Sequence, residues 1–177
     1  MALKRYAGFL RGVSPINLKM AHLKKYLEDD GLTHVHTLLA SGNVLFSARP
    51  AKEETLQRKL EDALERGVHR HFLTFIRPVE TLREMIERDP YRTLKVPAAA
   101  KRIVTFLQEP PATRLKLPIE KDGARILAIQ GREVFSAYVD MKKGPVFMAL
   151  LEKTFGKQIT TRTWDTVRKA AADKRMS

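Results

Sequence analysis

Residues 32–48 read LTHVHTLLASGNVLFSA: two stretches in which apolar and polar residues alternate, broken by Ser41-Gly42-Asn43. Alternation with a period of two gives a strand one inward face, and Ser-Gly-Asn supplies a short turn, so the stretch predicts a β-hairpin over residues 33–47. Upstream, Met20, Leu23 and Leu27 share one face of a helix predicted over residues 18–30 and ended by Gly31. Before it, LKRYAGFL at residues 3–10 reads as a first strand. Downstream, Leu56, Leu60 and Leu64 form a stripe, with Ala63 beside it, on a helix predicted over 52–66 and ended by Gly67. HFLTFIR, residues 71–77, then reads as a strand stopped by Pro78. The order β-α-β-β-α-β is that of a ferredoxin-like unit.

The rest of the chain repeats the scheme without repeating the letters. A short helix over 80–88 turns Leu82, Met85 and Ile86 inward, and DPYRTLKVPAAA, residues 89–100, reads as a linker. RIVTFLQ predicts a strand, residues 111–118 a turn or short helix, and RILAIQ with EVFSAYV a hairpin around Gly131-Arg132. A helix over 145–155 carries Phe147, Leu150, Leu151 and Phe155; extended QITT follows, then a last helix over 163–173. The expectation is an α+β protein of two ferredoxin-like (βαββαβ) subdomains, residues 1–90 and 91–177.

With 177 residues, 44% hydrophobic and 30% charged, the chain is long enough to bury roughly 70% of the surface of its unfolded form. It contains no cysteine, which removes disulfides, thiolate metal sites and cysteine nucleophiles. The N-terminus lacks the apolar run of about 7–15 residues of a signal peptide, and no stretch approaches the run of about 18 apolar residues that a membrane span needs. A cytoplasmic protein is the expectation. Thirty-three Lys+Arg against 20 Asp+Glu give a net charge of +13, which predicts attraction to polyanions. The bias is local too: Lys4, Arg5, Arg11, Lys19, Lys24 and Lys25 precede the first acid, Glu28.

FLRGVSPINLKM, ASGNVLFSA, VTFLQEPP and ITTRTWDTVRKA, in this order, resemble an uncharacterised bacterial family that carries only a domain-of-unknown-function label. The resemblance rests on the Leu-Arg-Gly, Ser-Gly-Asn-Val and Thr-Thr-Arg-x-Trp blocks and spans nearly the whole chain. It implies an α/β fold with ferredoxin-like halves and no established activity. The chain departs from the commoner family pattern in the first loop, where Val13-Ser14-Pro15-Ile16 replaces a glycine-rich Val-Gly-Gly stretch.

In a ferredoxin-like unit the first and third strands are antiparallel neighbours, so Arg11 and Gly12 are expected beside Ser41, Gly42 and Asn43. The first helix starts from the same end, adding Asn17 as a candidate N-cap and Lys19 beside it. Arg11, Asn17, Lys19, Ser41 and Asn43 thus form a candidate anion-binding set, in which a guanidinium fork and helix N–H groups meet phosphate or carboxylate. The plainer reading makes Ser-Gly-Asn a turn and Asn17 a cap. Arg162 and Trp164 are a second candidate pair, for a phosphate and a ring, against the plainer reading that Trp164 packs in the core.

No metal site or cofactor is expected. His34-Val35-His36 and His69-Arg70-His71 fall on opposite edge strands and do not converge. No serine lies in a nucleophile elbow, and no glycine-rich phosphate loop occurs. An RNA-recognition module is disfavoured because Tyr6 and Phe9 alternate to opposite faces of the first strand and the third offers only Phe46. These residues point to a non-enzymatic binding protein for an anionic partner, nucleic acid or a small anionic ligand. The alternatives are an enzyme acting on a small phosphorylated or carboxylated substrate, or a protein-interaction module.

Overall fold

The computed structural model describes residues 1–139 and 146–174. The chain forms two compact units, Met1–Glu84 together with the chain from Arg168 onward, and Met85–Val167. The first contains β1 (Lys4–Leu10), α1 (Met20–Asp29), β2 (Thr33–Leu38), β3 (Asn43–Ala48), α2 (Glu53–Val68) and β4 (Thr74–Pro78), and α3 (Val79–Arg88) follows. Its antiparallel sheet has the order β2-β3-β1-β4, which is ferredoxin-like, with Tyr6 opposite Phe46 and Phe9 opposite Asn43.

Leu23 and Leu27 of α1 and Leu56, Leu60 and Leu64 of α2 bury the predicted stripes against Tyr6, Leu10, Val44, Phe46 and Ile76 of the sheet. Tyr6 and Phe46 stack at 5.7 Å within this helix-facing core, so neither is displayed on the open face that base-stacking aromatics occupy in RNA-recognition modules. Gly67 does not end α2. The helix runs on to Val68, and His69 takes the left-handed capping position at φ 54°. Gly67 is needed for close approach instead: a Cβ there would sit 2.8 Å from the Tyr26 ring of α1.

The opposite face of the first sheet is also buried, with Ala7, Phe9, Leu45 and Phe75 sharing it with two arginines, Arg5 and Arg77. Arg5 donates from Nε and Nη2 to Asp173 Oδ2 at 3.2 and 2.6 Å, and from Nη1 to the His34 carbonyl at 2.5 Å and Ser47 Oγ at 3.3 Å. Arg83 of α3 donates to the carbonyls of Ala171 and Asp173 at 3.0 and 3.2 Å. Two arginines of the first unit thus hold residues 171–173.

The second unit contains a single 3-10 turn at Pro90–Arg92, then β5 (Lys101–Leu107), β6 (Ile119–Lys121), β7 (Ala124–Gln130), β8 (Glu133–Tyr138), α4 (Val146–Phe155), β9 (Ile159–Thr163) and the start of α5 (Trp164–Ala171). Residue 145, the predicted first residue of α4, lies outside the described residues. The sheet order is β6-β7-β8-β5-β9; without β6, its strands follow the same order as the first sheet. The helix considered for residues 111–118 does not form. Pro110, Pro111 and Pro118 remove backbone donors, and Leu115, Leu117 and Ile119 are half-buried while Arg114, Lys116, Pro118 and Glu120 are exposed. That period of two is extended chain, and it leads into β6, a strand the sequence reading lacked.

The predicted linker holds a core residue. Tyr91 is buried, and its hydroxyl lies 2.7 and 2.8 Å from the carbonyls of Ile103 and Ser136 while accepting from Ser136 N–H at 3.2 Å. Its ring meets Phe135 and Trp164 edge-on at 5.9 and 5.2 Å. On the other face, Phe147, Leu150 and Leu151 of α4 pack over Ile103, Ile126 and Val134.

Two outcomes follow from these buried polar anchors. Asp173→Ala, which strands the Arg5 guanidinium, is expected to destabilise the fold by about 3–5 kcal/mol in denaturant titration. Burial, the largest influence, pushes the Tyr91 hydroxyl well above its usual range, against smaller opposing effects of its backbone bonds and Arg102. The folded state therefore keeps a proton that the unfolded state releases from about pH 10 upward, and stability falls there. Tyr91→Phe is expected to cost about 1–3 kcal/mol at neutral pH through lost hydrogen bonds and to flatten that alkaline decline, as read from melting at a series of pH values.

Candidate anion-binding surfaces

The fold brings the predicted set to one end of the first sheet. Leu10 N–H donates to the Gly42 carbonyl at 2.9 Å, so the exit of β1 lies against the β2–β3 turn. Gly42 has φ +81°, and a Cβ there would lie 2.8 Å from Val13 Cγ2, so the two loops touch. Within this meeting point the asparagines serve the backbone. Asn43 is buried, and its Nδ2 donates to the Leu38 carbonyl and to Ser41 Oγ, each at 3.0 Å.

Asn17 is not the cap of α1. That position falls to Lys19, at φ −79° and ψ 139°, with no side-chain capping bond. Asn17 instead accepts from Ser14 N–H at 2.9 Å through Oδ1 and donates to the Gly12 carbonyl at 2.7 Å through Nδ2, closing residues 12–17 on themselves. Lys19 is exposed and Arg11 half-buried. Ile16 and Leu39, 98% and 56% exposed, project from the two loops, Leu39 with left-handed φ 57°. The acids nearest in sequence are engaged along α1: Glu28 pairs with Lys24, Asp29 with Lys25 at 2.6 Å, and Asp30 with Arg66 at 2.5 Å.

The second candidate pair separates. Trp164 is buried against Tyr91 and Phe135. Thr163 caps α5, accepting from Thr166 N–H at 3.2 Å. Arg162 donates from Nη1 to Thr160 Oγ1 and the Thr161 carbonyl, both at 2.7 Å. Burial lowers its guanidinium to about 10, which leaves it charged at neutral pH. Of the two histidine pairs, His34 and His36 lie on edge strand β2 as expected, and the second pair does not reach its strand. His34 has φ 49° within an irregular stretch of β2, and His69 and His71 precede β4 in a loop. Among the described residues no group of three or more His, Asp or Glu could hold a metal ion, and no helix is long and apolar enough to cross a membrane.

A second basic surface, absent from the sequence reading, lies at one end of the second sheet. Pro90–Gln108 contains Arg92, Lys95, Lys101 and Arg102 and no acid. Strand register sets Lys101 opposite Tyr138, Tyr138 opposite Ala124, and Ala124 opposite Lys121. The adjacent row runs Arg102, Ala137, Arg125, Glu120. Lys101 Nζ lies 5.5 Å from the Tyr138 ring centre, and Arg102 Cζ lies 5.6 Å from that of Tyr91. Arg125 donates to Glu120 at 2.7 Å and to the Lys95 carbonyl at 3.0 Å, tying the basic loop to β7. The acid-free run is visible in the sequence, but its meeting with Lys121 and Arg125 requires the strand register.

Comparison with known proteins agrees with the fold. A family model described as "Protein of unknown function (DUF1697)" matches residues 3–135. The solved structure of conserved bacterial protein SP0830 from Streptococcus pneumoniae is similar at 22% identity, covering 96% of this chain and 97% of that one with a TM-score of 0.69. No curated protein matches.

The asparagine bonds give a direct test of the first loop pair. Asn43→Ala is expected to destabilise the protein by about 1–2 kcal/mol, because the Leu38 carbonyl and Ser41 hydroxyl lose their donor. The shift in chemical denaturation midpoint checks it.

Proposed function

We propose, for a chain that belongs to the DUF1697 family of proteins of unknown function, a non-enzymatic role in the cytoplasm as a binding protein for an anionic partner, with nucleic acid favoured. The observation that supports this reading is the excess of 33 Lys+Arg over 20 Asp+Glu, concentrated in two stretches without acids, residues 1–27 and 90–108. Exposed Lys4 and Lys19 in the first, and exposed Arg92, Lys95, Lys101 and Arg102 in the second, put that charge where a polyanion reaches it.

Phosphates are the chemistry such a surface meets best, because each one neutralised releases condensed counterions from a nucleic acid. In the first unit, Lys19 stands at the start of α1, which has no acid in its first turn to compete with an incoming anion, and Arg11 stands at the exit of β1. Asn17, Ser41 and Asn43 hold the loops that carry them, so their contribution in this reading is to shape the surface. The burial of Trp164 and of the Tyr6–Phe46 stack favours phosphate contacts over base stacking.

Binding measured by fluorescence anisotropy with short labelled DNA and RNA is expected to weaken on the order of ten-fold or more between about 50 and 200 mM salt, linearly in log–log form. A flat salt response, or no association with either nucleic acid at about 50 mM salt, would sink the reading.

A further inference from the structure

We infer that nucleic acid is held at one particular place: the end of the second sheet where β5 and β7 begin and β6 and β8 finish. This rests on the function proposed above and names its contact surface. Three strands bring cations from distant parts of the sequence to this end, Lys101 and Arg102 from β5, Lys121 from β6 and Arg125 from β7, with Lys95 tied alongside through its carbonyl.

Cross-strand partners share a face and successive residues point to opposite faces, so the two rows differ in direction. Lys101 and Lys121 lie on the side of Tyr138, and Arg102 and Arg125 on the other. A phosphodiester chain running along the strand ends therefore meets lysines from one side and guanidinium forks from the other. Arg102 and Arg125 both pair with Ala137, whose small side chain leaves the two guanidinium stems two strand spacings apart, ~9.5 Å. Among the described residues of β6, β7 and the exposed turn between them, the acids are Glu120, which Arg125 holds, and Asp122.

The contact is to the backbone and not to bases. Tyr138 has Lys101 over its ring and Phe147 stacked on it at 4.6 Å, and Tyr91 is buried beneath Arg102, so both rings are already engaged. A surface of this kind binds with little sequence preference. It also favours nucleic acid over an acidic peptide, since its cations stand in rows along the strand ends, an arrangement suited to the regular charges of a phosphodiester backbone.

The test compares two variants of equal charge loss. The rim variant is Lys101→Gln, Arg102→Gln and Lys121→Gln. The control is Arg49→Gln, Lys52→Gln and Arg58→Gln, three exposed cations of the first unit. With mixed-sequence oligonucleotides, the rim variant is expected to bind at least about ten-fold more weakly at 50 mM salt and to lose about 2 from the slope of log K against log salt, with the control near wild type. Because Arg102 also supports Tyr91, the pair Lys101→Gln with Lys121→Gln is measured alongside, with about 1.5 lost from the slope.

Wild-type affinity and slope in both rim variants, or an equal loss in the control, would overturn the assignment while leaving nucleic-acid binding intact. Equal displacement of the oligonucleotide by polyglutamate of the same charge would overturn the choice of nucleic acid. Failure of the wild-type protein to bind any oligonucleotide refutes the proposed function itself, a result distinct from failure of the rim.

Discussion

The first unit is organised by one buried guanidinium. Arg5 lies on β1, between β3 and β4, and its fork reaches β2 through the His34 carbonyl, β3 through Ser47, and the chain end through Asp173, 168 residues away. A charge held at this depth is costly without partners, so the arrangement is effectively all or nothing. Lysine is a poor substitute: its three donors sit on one nitrogen, whereas Arg5 donates from Nε, Nη1 and Nη2, which are spread across a planar fork. Arg83 fixes the same segment by its carbonyls. Such a pair contributes definition more than net energy, because it selects the one path of residues 171–173 that leaves no guanidinium stranded.

Patterns that are local and periodic were legible in the sequence. The hairpin around Ser41-Gly42-Asn43, the leucine stripes of α1 and α2 and the order of elements in the first half needed only periods of 2 and 3.6 and the usual turn residues. The α+β class with ferredoxin-like halves and the family resemblance both follow from those patterns and motifs. Features decided by long-range contact were hidden. Gly67 looks like a helix stop until Tyr26 is placed over it. Tyr91 looks like part of a linker until its hydroxyl is seen between β5 and β8. The absence of a helix at residues 111–118 had a signal in the sequence, the prolines and the alternating Leu115, Leu117 and Ile119.

For the candidate surfaces, position was easier to read than employment. Strand order alone brings the exit of β1 to the β2–β3 turn, and the Leu10–Gly42 hydrogen bond is that neighbourhood realised. Whether an asparagine in such a loop faces a ligand or its own backbone depends on tenths of an ångström, and Asn17 and Asn43 both bond to backbone. The basic rim of the second sheet had the opposite problem. Its residues come from β5, β6 and β7, and only the register that sets Arg102 and Arg125 on either side of Ala137 makes them one surface.

The irregularities of the outer strands have a bearing on how the protein behaves in company. β2 and β4 border the first sheet, β6 and β9 the second, and a long flat border is an invitation to pair with another chain. Here β2 is broken by the left-handed His34, β4 ends at Pro78, and β6 is three residues long, preceded by Pro118 and carrying Glu120 and Lys121. Three of the four borders are thus short or crooked, so a misaligned neighbour finds little to extend there. A net charge of +13 adds mutual repulsion between copies to this poor fit of their sheet edges.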